Sequence, residues 1–288
     1  MIYTRMAGGL GNQLFQLAAT LALRGEASEP VLVSTDGLRR YQVKRNFDVA
    51  HLMRLPTGFH AHVPSGIGGK WHASLMRSRI GRWLPVYGVN DRNFESQLLR
   101  RTNAIHPRTL WLDGYFQRHW PPFLFDAVSA QMQSLLHSHL PTPHQEYADC
   151  VMHIRGGDFL KSAAHQVSDG RYYLAAVAAM RQRRPMTAAV TVVTDDAAHA
   201  RSIMEIVQQA QPDLLLSLAP TSQTTANAGW LLDFELLRNA PSRIIGNSTF
   251  AWWAAALDAQ GAPTLSPSQW TRGVPRDLTL QWEQLIPV

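Results

Sequence analysis

The feature that most constrains this chain is an exchange between short β-branched apolar runs and segments of helical period through its second half. CVMHIRGGDF at 150–159 reads as a buried strand and its loop, Arg171–Arg184 as a helix, and AAVTVVT at 188–194 as a strand ending at Asp195 and Asp196. A helix at His199–Gln209, a strand at Leu214–Leu218, a helix at Gly229–Asn239 and a strand at Arg243–Gly246 follow. A helix at Thr249–Leu257 and a short strand at Thr264–Leu265 complete the series. Alternation of this kind predicts a doubly wound α/β domain built on a parallel sheet. In such sheets ligands lie beyond the carboxyl ends of the strands, so residues just after each strand are read for function first.

The first half begins the same way. A strand over Ile2 to Arg5 or Met6 runs into GGLGNQ at 8–13, and LFQLAATLALRGE then carries apolar residues at helical spacing. VLVS at 31–34 is a second strand, followed by an irregular stretch with Arg39, Arg40, Lys44 and Arg45; WLDGYFQ at 111–117 is the clearest strand of the aperiodic middle. A helix over Phe123–Leu140 ends at Pro141, and PTPHQEYAD at 141–149 reads as a linker. The expected domains are therefore 1–140 and 141–288.

Charge separates the same halves. Residues 1–140 carry 16 Lys+Arg against 8 Asp+Glu, a balance of +8, whereas 141–288 carry 11 against 13, a balance of −2. A basic half suits nucleic acid, an anionic membrane face or a phosphorylated substrate, so the motifs must choose. A nucleic-acid binder would leave the strand-end motifs of the second half idle, and nucleic acid is not an expected partner. With 45% hydrophobic and 17% charged residues the chain is of the folding, globular kind. No apolar run reaches the roughly 18–20 residues of a membrane span. The opening MIYTRMAGGLGNQ has no export-signal pattern, which points to the cytoplasm. Cys150 is the sole cysteine and reads as a buried structural thiol.

Four strand-end segments carry chemistry. Gly8, Gly9 and Gly11 let backbone approach an anion at a helix N-terminus, with Asn12 as a cap and Gln13 beside it. The spacing is not G-x-G-x-x-G, so a nicotinamide fingerprint fails. His153 and Arg155 fall on one strand face ahead of Gly156, Gly157 and Asp158; an arginine there suits a diphosphate. The competing account is an Arg155–Asp158 ion pair closing a loop and a core histidine. Asp195 and Asp196 suit a metal, the N–H donors of a guanine edge, or a helix cap. Asn247, Ser248, Thr249 and Phe250 open a helix as a phosphate site would, with Trp252 and Trp253 as packing.

Taken in order, GGLGNQLFQ at 8–16, GYFQ at 114–117, HIRGGDF at 153–159, TDD at 194–196 and NSTFAWWAAAL at 247–257 resemble the motifs of bacterial α-1,2-fucosyltransferases, glycosyltransferase family 11. The resemblance implies a GT-B fold, two Rossmann-like halves facing a cleft, the first on the acceptor side and the second holding GDP-fucose. It implies that Arg155 holds the donor diphosphate and that His153 and Asp196, with Asp195, serve the nucleoside. Asn247, Ser248, Thr249 and Phe250 would lie by the β-phosphate, while Gly9, Gly11, Asn12 and Gln13 would close over the donor. No cofactor and no metal are implied. Asp158 is the one carboxylate the motifs offer as general base. The family's second arginine is Gly156 here, and its tyrosine is Phe159. The expected acceptor is a β-galactoside of a surface glycan, lipid-linked or free. For that acceptor the basic stretch Lys70, Trp71, Arg77, Arg79, Arg82 and Trp83 is read as a peripheral contact with the inner membrane face.

Overall fold

The structure is a computed structural model describing residues 1–25, 29–39, 45–62, 86–101, 109–140, 149–223 and 229–288. It divides into two compact units, Met1–His137 and Ser138–Val288.

In the first unit β1 (Ile2–Arg5), β2 (Val31–Ser34), β3 (Phe59–His62), β4 (Val86–Val89) and β5 (Thr109–Leu112) form a parallel sheet in the order β3-β2-β1-β5-β4. Apolar residues such as Leu14, Leu17, Ala18 and Leu21 bury α1 (Leu10–Arg24) almost all round in the core of this unit. Strands β3 and β4 and the helix Phe94–Arg101 were not foreseen, because each is short and none carries a full period. The strand expected over 111–117 stops at Leu112. Beyond it Phe116 and His119 adopt positive φ, at 54° and 63°, which no strand tolerates. The helix expected to reach Leu140 is Pro122–Leu135, since Leu136 turns extended and bridges Met53. The basic stretch 70–83 and nearly all of the linker lie outside the described residues.

In the second unit β6 (Cys150–Ile154), β7 (Ala189–Thr194), β8 (Leu215–Leu218), β9 (Arg243–Ile245), β10 (Thr264–Pro267) and β11 (Glu283–Ile286) pair in the order β11-β10-β9-β6-β7-β8, all parallel. Numbered within the unit this is 3-2-1-4-5-6, the dinucleotide-fold order, and its direction reverses between β6 and β9. Alternation along β6 sends Cys150, Met152 and Ile154 into a core with Tyr172, Ala176 and Met180 of the helix Gly170–Arg183 and Ile203 of the helix Ala197–Ala210. On the opposite side the helices Gly229–Arg238 and Thr249–Ala256 bury Phe234, Leu237, Trp252 and Trp253. Trp252 packs edge-on to Trp253 and Trp270, the packing role expected of it. Cys150 is free and buried, and burial pushes its thiol up to about 12. Strand β11 went unforeseen: it closes the sheet edge through Glu283, whose carboxylate takes Arg276 at 2.7 Å with both side chains fully buried.

Candidate functional site

The reversal point of the second sheet gathers the strand-end residues. His153 pairs with Ile245 in the ladder, so the chain leaves β6 and β9 at the same level, at Arg155 on one side and Asn247 on the other. Two neighbouring tyrosines at the start of the helix Gly170–Arg183 hold these ends. The Tyr173 hydroxyl donates to the His153 carbonyl at 3.0 Å, and that of Tyr172 to the Ile245 carbonyl. The helix starts at residue 170 because Asp169 caps it, accepting from the N–H groups of Arg171 and Tyr172.

Arg155 sits one residue past β6, only 22% exposed, between two carboxylates. One terminal nitrogen meets Asp158 Oδ1 at 2.5 Å and the other Asp195 Oδ2 at 2.6 Å. Its guanidinium lies 5.0 Å from the centre of the Phe159 ring, which is itself tilted against His165 at 4.8 Å. The ion pair offered above as the competing account is therefore present, together with a second partner it did not include. Gly156 donates its N–H to Asp195 Oδ1 at 2.8 Å, and Gly157, at φ 54°, donates to Asp196 Oδ2 at 3.4 Å. The loop packs so tightly that a Cβ on Gly156 would overlap the Cβ of Asp196 and come within 3.1 Å of its carboxylate. An arginine in place of Gly156 does not fit this loop.

Asp196 also caps the helix Ala197–Ala210 through the His199 N–H, and these backbone donors hold its carboxyl below the usual range. All four oxygens of Asp195 and Asp196 therefore face protein donors. The readings of this pair as metal ligands or guanine readers give way to a clamp on the Arg155 loop. Among the described residues no group of three or more His, Cys, Asp or Glu side chains is arranged to hold a metal ion.

His153 is a core histidine at 4% exposure, with its ring 6.0 Å from that of Phe250. Burial pushes its pKa down to about 4, with Asp195 opposing and Arg155 assisting. Its Nδ1 is buried and has no partner among the described residues. A buried neutral imidazole nitrogen left open beside the reversal point is an unfilled hydrogen-bonding position.

Asn247 differs from expectation. Its amide donates to the carbonyls of His165 and Trp270, both at 2.9 Å, while its oxygen accepts from Ser168. Its side chain is consumed in pinning the loop 165–168, which leaves it unavailable to a ligand. Ser248 is the N-cap of Thr249–Ala256 but makes no side-chain cap bond, and the first turn holds no acidic residue. The Ser248 N–H donates to the Gly246 carbonyl at 2.8 Å, and the dipole of that helix end lies at the same level as Arg155. Sequence reading missed Asp233, on the helix Gly229–Arg238. Burial raises its pKa to about 6, and Thr221, on the turn after β8, donates to it. The signal was present: a carboxylate inside the apolar run GWLLDFELL.

The first unit has its own reversal point, between β1 and β5. The N-cap of α1 is Gly9 and the helix already includes Gly11, Asn12 and Gln13, so Asn12 is not the cap. Its oxygen accepts from Gln117 at 2.8 Å. Gln13 bonds Gly8 O, Asn46 O and the Val49 N–H, and Gln16 ties Ala7 to Gly114. Asp91 receives the N–H groups of Tyr115 and Phe116, fixing the strained loop after β5. GGLGNQLFQ and GYFQ are thus two halves of one structural joint. Asn12 and Gln13 face the protein, while Gly9 and Gly11 offer only backbone.

The family model described as glycosyl transferase family 11 matches residues 92–274. Over 286 residues the chain is 22% identical to an alpha-1,2-colitosyltransferase of Escherichia coli, covering 94% of this chain and 92% of that protein. The solved fucosyltransferase NodZ from Bradyrhizobium aligns at a TM-score of 0.53 with 15% identity over 98% of each chain. POFUT1 in complex with GDP aligns at 0.51 with 10% identity over 96% of each. At such identities the likeness is one of fold, an α/β fold of GT-B type with two parallel-sheet units.

Proposed function

Because the chain belongs to glycosyl transferase family 11, we propose that it moves L-fucose from GDP-fucose to the 2-hydroxyl of a galactoside, with inversion, during assembly of a surface glycan. One observation carries the reading. Arg155 and the N-terminus of Thr249–Ala256 follow adjacent strands at the reversal point of a sheet with dinucleotide-fold order. A guanidinium with one exposed, exchangeable partner beside a helix N-terminus suits a diphosphate.

In one displacement the acceptor oxygen bonds the anomeric carbon as the bond from that carbon to the β-phosphate oxygen breaks. The negative charge arriving on that oxygen is met by Arg155, by the positive end of the Thr249–Ala256 dipole and by the Ser248 hydroxyl. Asp158 is assigned the hydroxyl proton. For the nucleoside we assign the open Nδ1 of His153 and the carboxylate of Asp233, which suits the paired N–H donors of a guanine edge. Asp195 and Asp196 serve by holding the arginine loop, and Phe250 by packing on His153. We assign the acceptor, a glycan carried on a lipid or free, to the first unit. No helix among the described residues is long and apolar enough to cross a membrane.

The near full-length likeness to a colitosyltransferase favours a second reading, in which the donor is a colitosyl or other deoxyhexosyl nucleotide. A screen of purified protein against GDP- and UDP-linked sugars, with and without EDTA, decides between them. NMR of the product linkage on a β-galactoside acceptor follows. Release of GDP from GDP-fucose alone among the donors, unaffected by EDTA, is the expected result. Turnover confined to UDP-sugars refutes both readings.

A further inference from the structure

Resting on the diphosphate reading, a further question is what already occupies Arg155. Both of its terminal nitrogens are taken by carboxylates, at 2.5 Å from Asp158 and 2.6 Å from Asp195. An incoming diphosphate therefore meets a guanidinium whose charge is already matched. The two partners are not equivalent. Asp195 is fixed from behind by the Gly156 N–H at 2.8 Å, and Gly157 packs on its other oxygen. Moving it unseats the loop. Asp158 is 52% exposed, stands on the short 3₁₀ turn Gly157–Lys161, and has Arg155 as its one partner among the described residues. A rotamer change of that single side chain frees one edge of the fork. The Phe159 ring and Asp195 keep the guanidinium in place meanwhile.

We propose that Asp158 is an internal stand-in for the diphosphate, occupying Arg155 in the free protein and lowering the affinity of the site for GDP until the nucleotide displaces it. An exposed ion pair is weak enough to be exchanged in this way. The alternative, that Asp158 holds Arg155 ready for the ligand, predicts the opposite sign.

Calorimetric titration with GDP, without acceptor, separates them, since no proton transfer from an acceptor enters. Asp158→Asn should bind GDP about 2- to 5-fold more tightly than the parent, the scale of one exposed ion pair. Guanosine binding should stay unchanged, because it has no phosphate. In an Arg155→Ala background the same substitution should gain clearly less, since no ion pair is left to break. Equal or weaker GDP binding by Asp158→Asn overturns the proposal, as does an identical gain without Arg155. Should Asp158→Asn not fold, Asp158→Ser is titrated in its place with the same expectations. Absence of GDP binding by the parent overturns the diphosphate reading itself, and the stand-in with it.

Discussion

Gly156→Ala is the substitution whose cost follows most directly from the geometry. The new methyl group overlaps Asp196 Cβ, and the obstacle is a capped backbone position with little room to retreat. Overpacking of this kind costs about 1–3 kcal/mol. Pushing Asp196 aside also weakens the cap on Ala197–Ala210 and the bond to Gly157, with the cap alone worth about 1 kcal/mol. The expected loss is about 2–4 kcal/mol, which for a domain of this size lowers Tm by about 5–12 °C. Urea unfolding reads it as a fall in midpoint at unchanged slope. A double-mutant cycle assigns the cause. In Asp196→Gly the obstructing Cβ is gone, and adding Gly156→Ala there should cost under about 0.5 kcal/mol. The reasoning is refuted if Gly156→Ala is within about 0.5 kcal/mol of the parent, or costs the same in both backgrounds. Gly156→Arg, which installs the arginine that the family resemblance leads one to expect, should likewise destabilise and bring no gain in GDP affinity.

Three further outcomes follow. Arg155→Ala should cut turnover by about 10² to 10³, the effect of one lost charge-stabilising donor, and Arg155→Lys should restore little because an ammonium does not reproduce the fork; steady-state GDP release measures both. Asn247→Ala should cost about 2–4 kcal/mol in urea, since it strips partners from the buried carbonyl of Trp270 and from that of His165, while GDP affinity of the folded protein holds within about twofold. Protonation tilts stability in two opposite ways. His153, about 4 folded against 6.5 unfolded, contributes about 3 kcal/mol that is complete above pH 6.5 and lost as pH falls toward 4, whereas Asp233, about 6 folded against 3.8, contributes a similar amount that is complete below 3.8 and lost as pH rises through 6. Denaturation across pH 4–7 should therefore give difference profiles, each variant minus the parent, that rise toward acid for His153→Gln and toward neutrality for Asp233→Asn.

The inner part of the second sheet was legible because strands buried on both faces read as apolar runs, and the helices between them keep their period. Their bounds fall within one or two residues of the expected ones. What the sequence does not carry is lateral order. Nothing in HIRGGDF or NSTF says that β6 and β9 are neighbours, and that pairing converts two weak motifs into one site. Side-chain allegiance was equally hidden. Asn247, Asn12 and Gln13 are polar residues at strand ends, the pattern of a ligand site, yet each bonds its own protein; the partners, Ser168 and Trp270 or Gln117 and Asn46, lie far away in sequence. Asp196 was readable as a cap from its place before AAHA; that Asp195 clamps Arg155 was not.

The two reversal points bear comparison. In the first unit Arg5 also stands between two carboxylates, Asp113 at 3.0 Å and Asp36 at 3.6 Å. Both are largely covered, at 27% and 10% exposure, and Asp36 is further held by the Ser34 hydroxyl at 2.6 Å. No partner of Arg5 is as open as Asp158, so an anion would have to break the joint to reach that guanidinium. Arg5 thus closes a structure, whereas Arg155 keeps the opening that the proposed donor site needs. The same residue triad in one architecture yields two roles, and what separates them is the exposure of a single carboxylate. A strand-end arginine alone is therefore a poor marker of an anion site. The informative quantity is whether one of its partners can leave without taking backbone with it.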